Sequence, residues 1–272
     1  MDAGVGALKH QPLSSMTIHP LLPIYLTVPA HALPFVEAAT RRRLLWLLRT
    51  PYARCIAVRA GDAVVAVAGA LVLPPLGHVL VVAAADPAAW HHALHAIRTA
   101  LLDNGCTTVE ATAAADAVAP WHTNDFADLQ ELLCLAGGVA KAAQSDAVLP
   151  LEPRHHFGLL HLDRQVNAPG RLPLLLEHDY LAQVLERAGA VRGVLFPLLG
   201  EGLIMAADAS AGLELQRWLL PVQAHLVLPA ANTVAVEHLQ ELGYHVRSRA
   251  QRLVWGPPPI LRPELVFAWP WC

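Results

Sequence analysis

One stretch of this sequence occurs twice, and this repetition constrains the fold more than any other feature. The residues LPPLGHVLVVAAAD (Leu73–Asp86) match FPLLGEGLIMAAD (Phe196–Asp208) in order and in spacing. Each copy has a proline, a glycine, an apolar run typical of a strand, and Ala-Asp at the start of a helical pattern. Repetition of one structural unit is best explained by duplication. The sequence therefore predicts two units of one kind in the same chain.

The first copy lies within an alternation of predicted strands and helices. A helical pattern covers 34–49 and ends before Pro51, because proline cannot continue a helix. Gly61 lies in a short turn typical of a hairpin. Asp86 and Pro87 favour the start of a helix, and Gly105 favours its end. The strands predicted around these signals are Arg54–Arg59, Ala63–Leu73, His78–Ala85 and Cys106–Thr112.

The second copy follows the same order. It has a glycine-containing turn at 200–202 and a helix cap at Asp208. The other predicted elements are helices at Leu181–Ala188 and Asn232–Leu242, and strands at Val191–Leu199, Leu203–Ala207, His225–Leu228 and from Tyr244 through Trp255.

These elements predict an α/β chain of the α+β kind, with two tandem units that each have a mixed, mostly antiparallel sheet flanked by helices. Hydrophobic residues are 55% of the 272 residues and charged residues 15%, which excludes disorder of the whole chain. We expect a disordered leader at 1–15, a first domain at 16–148, a linker rich in proline and histidine at 149–173, and a second domain at 174–272.

Charge, cysteines and apolar runs restrict the setting of the protein. The net charge of −3 gives no long-range attraction to nucleic acid. The four cysteines are scattered, which is typical of a reducing compartment, and no apolar run has the length of a membrane helix. We therefore expect a cytoplasmic protein without a membrane or nucleic-acid partner. The apolar segment Val266–Cys272 is expected to pack on the body of the protein or on a second copy, which would make a homodimer.

The segment Leu226–Gly256 resembles the end of an N-acetyltransferase domain of the GNAT superfamily. A strand ends in small residues, an asparagine caps a helix, and a glycine with an aromatic residue opens the last strand. Asp163-Arg164 is similar to the start of the C-terminal domain in tandem GNAT proteins, and the first half resembles the GNAT core more loosely. The matching positions after Leu226 are Asn232, Ala235, Leu239, Gly243 and Tyr244.

The resemblance implies that acetyl-CoA or another acyl-CoA lies against a strand and the helix after it. The matching positions in the first half are Val81, Val82 and Ala83 on the strand, and Trp90 and His91 on the helix. The glycine loop that holds pyrophosphate in the superfamily has no counterpart in either copy. An aspartate stands instead at each helix start, and its negative charge disfavours the binding of phosphate there.

The resemblance also implies two candidate residues for proton transfer. Glu110 is a candidate general base toward an amine, and the alternative is a strand-end carboxylate paired with an arginine. Tyr244 is a candidate acid, and the alternative is a core aromatic residue. Leu239 stands where many family members have a proton-donating tyrosine, and leucine transfers no proton.

Two histidines could form part of a metal site. His91 and His95 are four residues apart on one predicted helix, the spacing of a metal-binding pair. A third ligand is not assigned, and a surface or partly buried helix is the alternative. No metal is expected.

The resemblance implies an N-acyltransferase that transfers an acyl group from acyl-CoA to an amine, on a small molecule or on a protein. Two alternatives stay open. One is a non-catalytic GNAT-fold module for binding or dimerisation, and the other is an acyltransferase whose donor is an aminoacyl-tRNA or a carrier-protein thioester.

Overall fold

A computed structural model describes residues 16–27, 33–143, 145–166 and 171–271. The predicted leader at 1–15 lies outside the described residues. The chain divides into two compact units. The first contains the described residues up to Val72 and His78–Gly105, and the second contains Leu73–Gly77 and the residues from Cys106 onward.

The first unit contains four strands in the order β1-β2-β3-β4. The strand β1 pairs with β2, and β2 pairs with β3, both in antiparallel register. Side chains from this sheet and from the helices beside it form one apolar core. The elements are β1 (Met16–Pro20), α1 (Ile24–Thr27), α2 (Ala38–Leu47), β2 (Ala53–Ala60), β3 (Ala63–Leu73), β4 (Leu76–Ala84) and α3 (Pro87–Asp103).

The second unit contains two sheets. Its strands are β5 (Thr108–Ala114), β6 (Ala127–Ala136), β7 (Val148–Pro150), β8 (Gln183–Arg187), β9 (Ala190–Phe196), β10 (Leu203–Ala206), β11 (His225–Pro229), β12 (His245–Trp255) and β13 (Val266–Ala268). Its helices are α4 (Ala119–His122), α5 (His156–Val166), α6 (Leu172–Glu177), α7 (Ala209–Leu219) and α8 (Thr233–Glu241). The strand orders are β5-β12-β6-β11 and β13-β10-β9-β8-β7.

The two halves of the sequence interleave in the sheet that contains β12. The strand β12 belongs to the second half but pairs with β5 and β6 of the first, antiparallel on both sides. The strand β6 in turn pairs with β11 of the second half. Each half therefore places its last long strand beside strands of the other half. The domain boundaries at 148 and 174 rest on the sequence repeat and stay a prediction.

The hairpin of the second half corrects one predicted element. The residues 181–188 were expected to be helical, but Gln183–Arg187 is the strand β8, paired with β9. Ala188 and Gly189 both have positive φ, at 51° and 74°, as a two-residue hairpin loop of type I′ requires. Pairing with β9 and burial of Val184 and Leu185 therefore outweigh the helix propensity of this segment.

The segment expected to be a linker contains regular structure. It holds β7 and the helix α5, whose Asp163 is 1% exposed. The Nε of Arg171 donates to the Asp163 carboxylate at 2.5 Å, and the arginine is itself 3% exposed. This buried ion pair holds the segment within the second unit.

The C-terminal residues pack on the body of the protein. The strand β13 pairs with β10, and the side chains of Phe267, Trp269 and Trp271 are buried. This is one of the two outcomes expected for the apolar tail. Within the described residues, no helix combines the length and the apolar character needed to cross a membrane.

Two glycines with the same backbone conformation give a matched test of this packing. Gly200 has φ +58°, and a Cβ there would collide with the carbonyl oxygen of Pro270. Gly61 has φ +60° and open space around it. We expect Gly61→Ala to lower the free energy of unfolding by about 1 kcal/mol, through backbone strain alone. Gly200→Ala should cost clearly more, because a backbone atom cannot move aside as a side chain can. Denaturant unfolding of both variants measures the difference, and equal losses would contradict it.

Candidate functional site

The start of α3 is built by two short-range devices. A β-bulge at Val65 interrupts the pairing of β2 with β3, and the Val65 carbonyl accepts the Ala85 N–H at 2.8 Å. Asp86 then caps the helix, its carboxylate accepting the Ala89 N–H at 2.8 Å. The bulge therefore fixes the point at which the chain leaves β4 and enters the helix.

The start of α7 is built in the same way. A bulge at Arg192 interrupts the pairing of β8 with β9, and its carbonyl accepts the Ala207 N–H at 2.8 Å. Asp208 accepts the Ala211 N–H at 2.9 Å. The backbone angles of the two aspartates agree within a few degrees, at φ −150°, ψ 165° for Asp86 and φ −152°, ψ 163° for Asp208. The structure thus contains the same local unit twice, at the two stretches that match in sequence.

A second pair of matching turns precedes the long strands β6 and β12. Asp125 has φ +65° and Gly243 has φ +82°. After the first, the Phe126 N–H donates to the Trp121 carbonyl at 3.3 Å, and after the second the Tyr244 N–H donates to the Leu239 carbonyl at 2.9 Å. The sequence comparison missed this pair because aspartate replaces glycine in the first half. The sequence signal for this pair of turns is the aromatic residue after each of them, Phe126 and Tyr244. Aligning the two turns places Trp121 of the first half at the position of Leu239 in the second half.

Both helix starts are occupied by a carboxylate of the chain itself. A helix N-terminus binds anions through free N–H groups, and the caps take one such group from α3 and one from α7. Pro87 at the first position of α3 has no N–H to offer. Asp86 has no ion-pair partner among the described residues. These ends therefore stabilise helices and are poorly suited to pyrophosphate.

Asp208 differs from Asp86 in having a cation beside it. The Arg192 Nη2 lies 2.7 Å from the Asp208 carboxylate, and both side chains are more than a third exposed. Burial acts to raise the pKa of Asp208, but the Ala211 N–H and the Arg192 guanidinium outweigh it and lower the pKa. The second cap thus has a cation beside it, whereas the first has none among the residues that the structure describes.

The residues expected to line an acyl-CoA lie at the end of β4 and the start of α3. Val81 is buried in the core of the first unit, whereas Val82, Ala83, Trp90 and His91 are half-buried. The rings of Trp90 and His91 are in edge contact, with centroids 5.5 Å apart. The five residues therefore lie on one strand and on the first turns of the helix that follows it in the chain, and their common role in binding a donor stays a prediction.

Glu110 lies in a buried polar cluster on the sheet of the second unit. Its Oε2 is 2.7 Å from Nη2 of Arg252, and the two side chains are 2% and 1% exposed. Arg252 also donates from Nη1 to Gln130 Oε1 at 2.9 Å, and its guanidinium carbon lies 4.0 Å from the ring centre of Trp269. This is the arginine pairing that stood as the alternative for Glu110. Its action as a general base stays a prediction.

Tyr244 lies in an apolar core cluster of the second unit and is 5% exposed. Burial raises the pKa of its hydroxyl, which makes the tyrosine a weaker acid. The register pairs Glu110 with Val254, ten residues along from Tyr244, which is roughly 33 Å of extended strand. The structure therefore does not bring these two candidates together, and the role of Tyr244 as an acid stays a prediction.

No family model matches the sequence. No curated protein matches it either. Solved structures do match. A candidate acetyltransferase from Pyrococcus horikoshii superposes with a TM-score of 0.74 at 12% identity, over 97% of this chain and 98% of the other. A GCN5-related N-acetyltransferase from Sphaerobacter thermophilus gives 0.60 at 12% identity, over 92% and 98%.

The chain has the GNAT fold. The likeness extends over nearly the full length of both proteins, which confirms the fold class expected from the sequence. At this low identity it shows the fold and not the chemistry.

Other features of the chain involve residues outside the predicted site. In the second unit a groove of about 480 Å³ is lined by residues that include Gln130, Glu131, Ala230 and Pro259. None of the predicted site residues is among those that line it. No group of three or more potential metal ligands occurs among the described residues, and the ring of His95 is exposed beside Arg98.

The buried pair of Glu110 and Arg252 predicts a specific pattern of stability. Removing either partner alone leaves a buried charge without compensation, so Glu110→Gln and Arg252→Met should each cost about 3–5 kcal/mol. The double variant should cost less than the sum of the single ones, because it removes both charges. Denaturant unfolding of the four proteins measures the coupling. Strict additivity would contradict the pairing.

Asp208 predicts a pH dependence whose sign follows from its lowered pKa. Its contribution to stability is present above the unfolded value of about 3.9 and is lost as the pH falls through the lower folded pKa. Asp208→Asn keeps an N-cap acceptor and removes the charge. We expect it to cost up to about 1 kcal/mol at neutral pH, since the pair is partly exposed, and progressively less below about pH 4. Unfolding at several pH values measures this. A cost that grows on acidification would contradict the assignment.

Proposed function

We propose that this protein is a GNAT-type N-acyltransferase that transfers an acyl group from acetyl-CoA or another acyl-CoA to an amine, with the donor on β4 of the first unit. The observation that carries the proposal is the strand, bulge and capped helix of the first half, in a chain that superposes along nearly its whole length on acetyltransferases. The acceptor is an amine of a small molecule or of a protein.

The end of β4 suits an extended acyl-carrying arm for steric reasons. Val82 and Ala83 are half-buried, Ala83 packs against the core of the first unit, and the two residues after them are alanines, whose small side chains would let an acyl-carrying arm approach the backbone. Arg43 of α2 donates to the Leu80 carbonyl at 3.4 Å, which holds the strand at this point. Trp90 and His91 offer an aromatic edge to the donor at the first turn of α3.

The binding mode proposed here differs from one that depends on pyrophosphate. Because the Asp86 carboxylate lies at the helix start, it opposes phosphate there. Most of the affinity must then come from the strand and from apolar contacts. We expect acyl-CoA to bind weakly, with an affinity that changes little between donors that have the same acyl-carrying arm.

The roles of the two candidate proton-transfer residues are part of the proposal. Glu110 would accept a proton from the amine, and Tyr244 would act as the acid. Both side chains are buried, so either role requires a conformation in which the substrate can reach them.

We also propose that the protein acts in the cytoplasm, without a membrane or nucleic-acid partner. Assembly as a homodimer would need a surface other than the buried side chains of the C-terminal segment.

A second candidate function is favoured by the helix caps and by the matching turns. An aspartate closes both helix starts, and Trp121 and Leu239 stand at matching positions where neither side chain can donate a proton as a tyrosine does. A GNAT fold used for binding or dimerisation alone would have these features. A carrier-protein thioester or aminoacyl-tRNA donor would equally avoid the pyrophosphate loop.

Calorimetry with acetyl-CoA and longer acyl-CoAs tests the proposal, together with thiol release in the presence of a panel of amines. Heat of binding with acyl-dependent release of thiol supports the acyltransferase. Binding without turnover supports the binding module. The absence of heat at millimolar acyl-CoA would reject acyl-CoA as the donor.

Asp86 gives the sharper prediction. Asp86→Asn keeps the cap acceptor and removes the charge at the start of α3, so acetyl-CoA should bind several-fold more tightly, and more so at low salt. The matched control is Asp208→Asn at the equivalent position of the second half, which should leave the affinity unchanged. Titration calorimetry at two salt concentrations measures both. Equal effects of the two variants would contradict a donor site in the first half.

A further inference from the structure

The C-terminal segment fills a specific place in the second half of the chain. The strand β13 pairs with β10, with Ile204 opposite Ala268 and Met205 opposite Val266. On its other side, the N–H of Trp269 donates to the Val227 carbonyl of β11 at 2.6 Å. The segment Val266–Trp269 therefore lies between β10 and β11 and bonds to both.

Polar side chains hold the backbone of this segment. Gln216 of α7 donates from Nε2 to the Phe267 carbonyl at 2.8 Å, and it is fully buried. Asn232 donates from Nδ2 to the Val266 carbonyl at 2.8 Å and to the Glu264 carbonyl at 3.2 Å. The backbone N–H of Glu201 donates to the Pro270 carbonyl at 2.8 Å. All of these hydrogen bonds go to main-chain carbonyls, so they depend on the path of the backbone more than on its side chains.

Phe267 gives the segment its apolar contact. Its ring packs on α7 at Gly212, where a Cβ would overlap the ring. Gly212 follows the Asp208 cap by four residues, so the ring lies over the first turn of α7. Phe267 and Trp269 are 1% and 2% exposed, so the surrounding chain covers both rings.

The place that the segment occupies corresponds to the proposed donor strand of the first half. The strand β10 leads into the Asp208 cap as β4 leads into the Asp86 cap, with the same bulge contact behind each. If an acyl-CoA arm lies along β4, its counterpart in the second half would lie along β10. The chain's own amides already do so.

We propose that the segment Val266–Trp269 occupies the second acyl-CoA cleft and closes it, so that the protein takes up donor on β4 alone. This inference rests on the proposed function for the identity of the ligand. The segment mimics an amide-containing arm, because its carbonyls receive the Gln216 and Asn232 amides and its backbone adds a strand to β10.

Hydrogen exchange on the intact protein tests the closed cleft without any substitution. With saturating acetyl-CoA, amides of 81–83 should gain protection, and those of 203–206 and 266–269 should not change. Protection at 203–206 together with faster exchange at 266–269 would overturn the proposal, because it would mean that donor displaces the segment.

A pair of isosteric substitutions tests whether the segment excludes the donor. Asn232→Asp keeps the oxygen that accepts the Ala235 N–H, and Gln216→Glu keeps the oxygen that lies 3.0 Å from His238 Nδ1. Each loses the amide that donates to the segment and places a carboxylate near its carbonyls. The exposed Gln240→Glu on α8 is the matched control for the change of charge.

The readout is the number of acetyl-CoA sites per chain by calorimetry. In the double variant we expect faster exchange at 266–269 and one more site than in the wild type and the Gln240→Glu control. Faster exchange without an additional site would overturn the proposal. The gain of one site does not depend on binding at β4. A wild type that binds no donor would reject the proposed function, but a gain from no site to one site in the double variant would still support the closed cleft.

Discussion

The buried guanidinium of Arg252 is the constraint on which much of the second unit depends. It lies on β12, and its partners come from both neighbouring strands, Glu110 from β5 and Gln130 from β6. A slip of β12 by one residue would turn this charge to the other face and leave it without compensation. Trp269 covers the guanidinium from the C-terminal segment. One side chain thus ties the register of the interleaved strands to the position of the tail.

Local chemistry explains which parts of the fold the sequence could predict. Asp86 and Asp208 cap helices through contacts three residues away, so their role follows from short-range rules, and the structure confirms both. The strand β8 was wrongly expected to be helical because its pairing partner decides its conformation. The interleaving of β6 and β12 joins residues more than a hundred positions apart, and no local pattern encodes such a choice of partner.

The sequence likewise predicted some features of the candidate site and left others open. Val81, Val82 and Ala83 could be assigned to a strand, and Trp90 and His91 to the helix after it, because both elements follow from local patterns. Glu110 was recognised as a carboxylate on a strand, but Arg252 lies 142 positions away, so the sequence could name an arginine partner only as a class. Tyr244 was a candidate acid with a core residue as the alternative, and its burial among apolar side chains was visible only in three dimensions.

The two halves share their framework and differ in what lies against it. In the second half the cap is neutralised by Arg192 and the adjoining strand is covered by Val266–Trp269. In the first half Asp86 keeps its charge without an ion-pair partner among the described residues, and Val82 and Ala83 are half-buried. A carboxylate at a helix start is more stable with a cation beside it than without one, although a partly exposed pair contributes at most about 1 kcal/mol. The two halves therefore share the capped helix start and differ in the charge beside the cap and in the segment that lies along the strand before it.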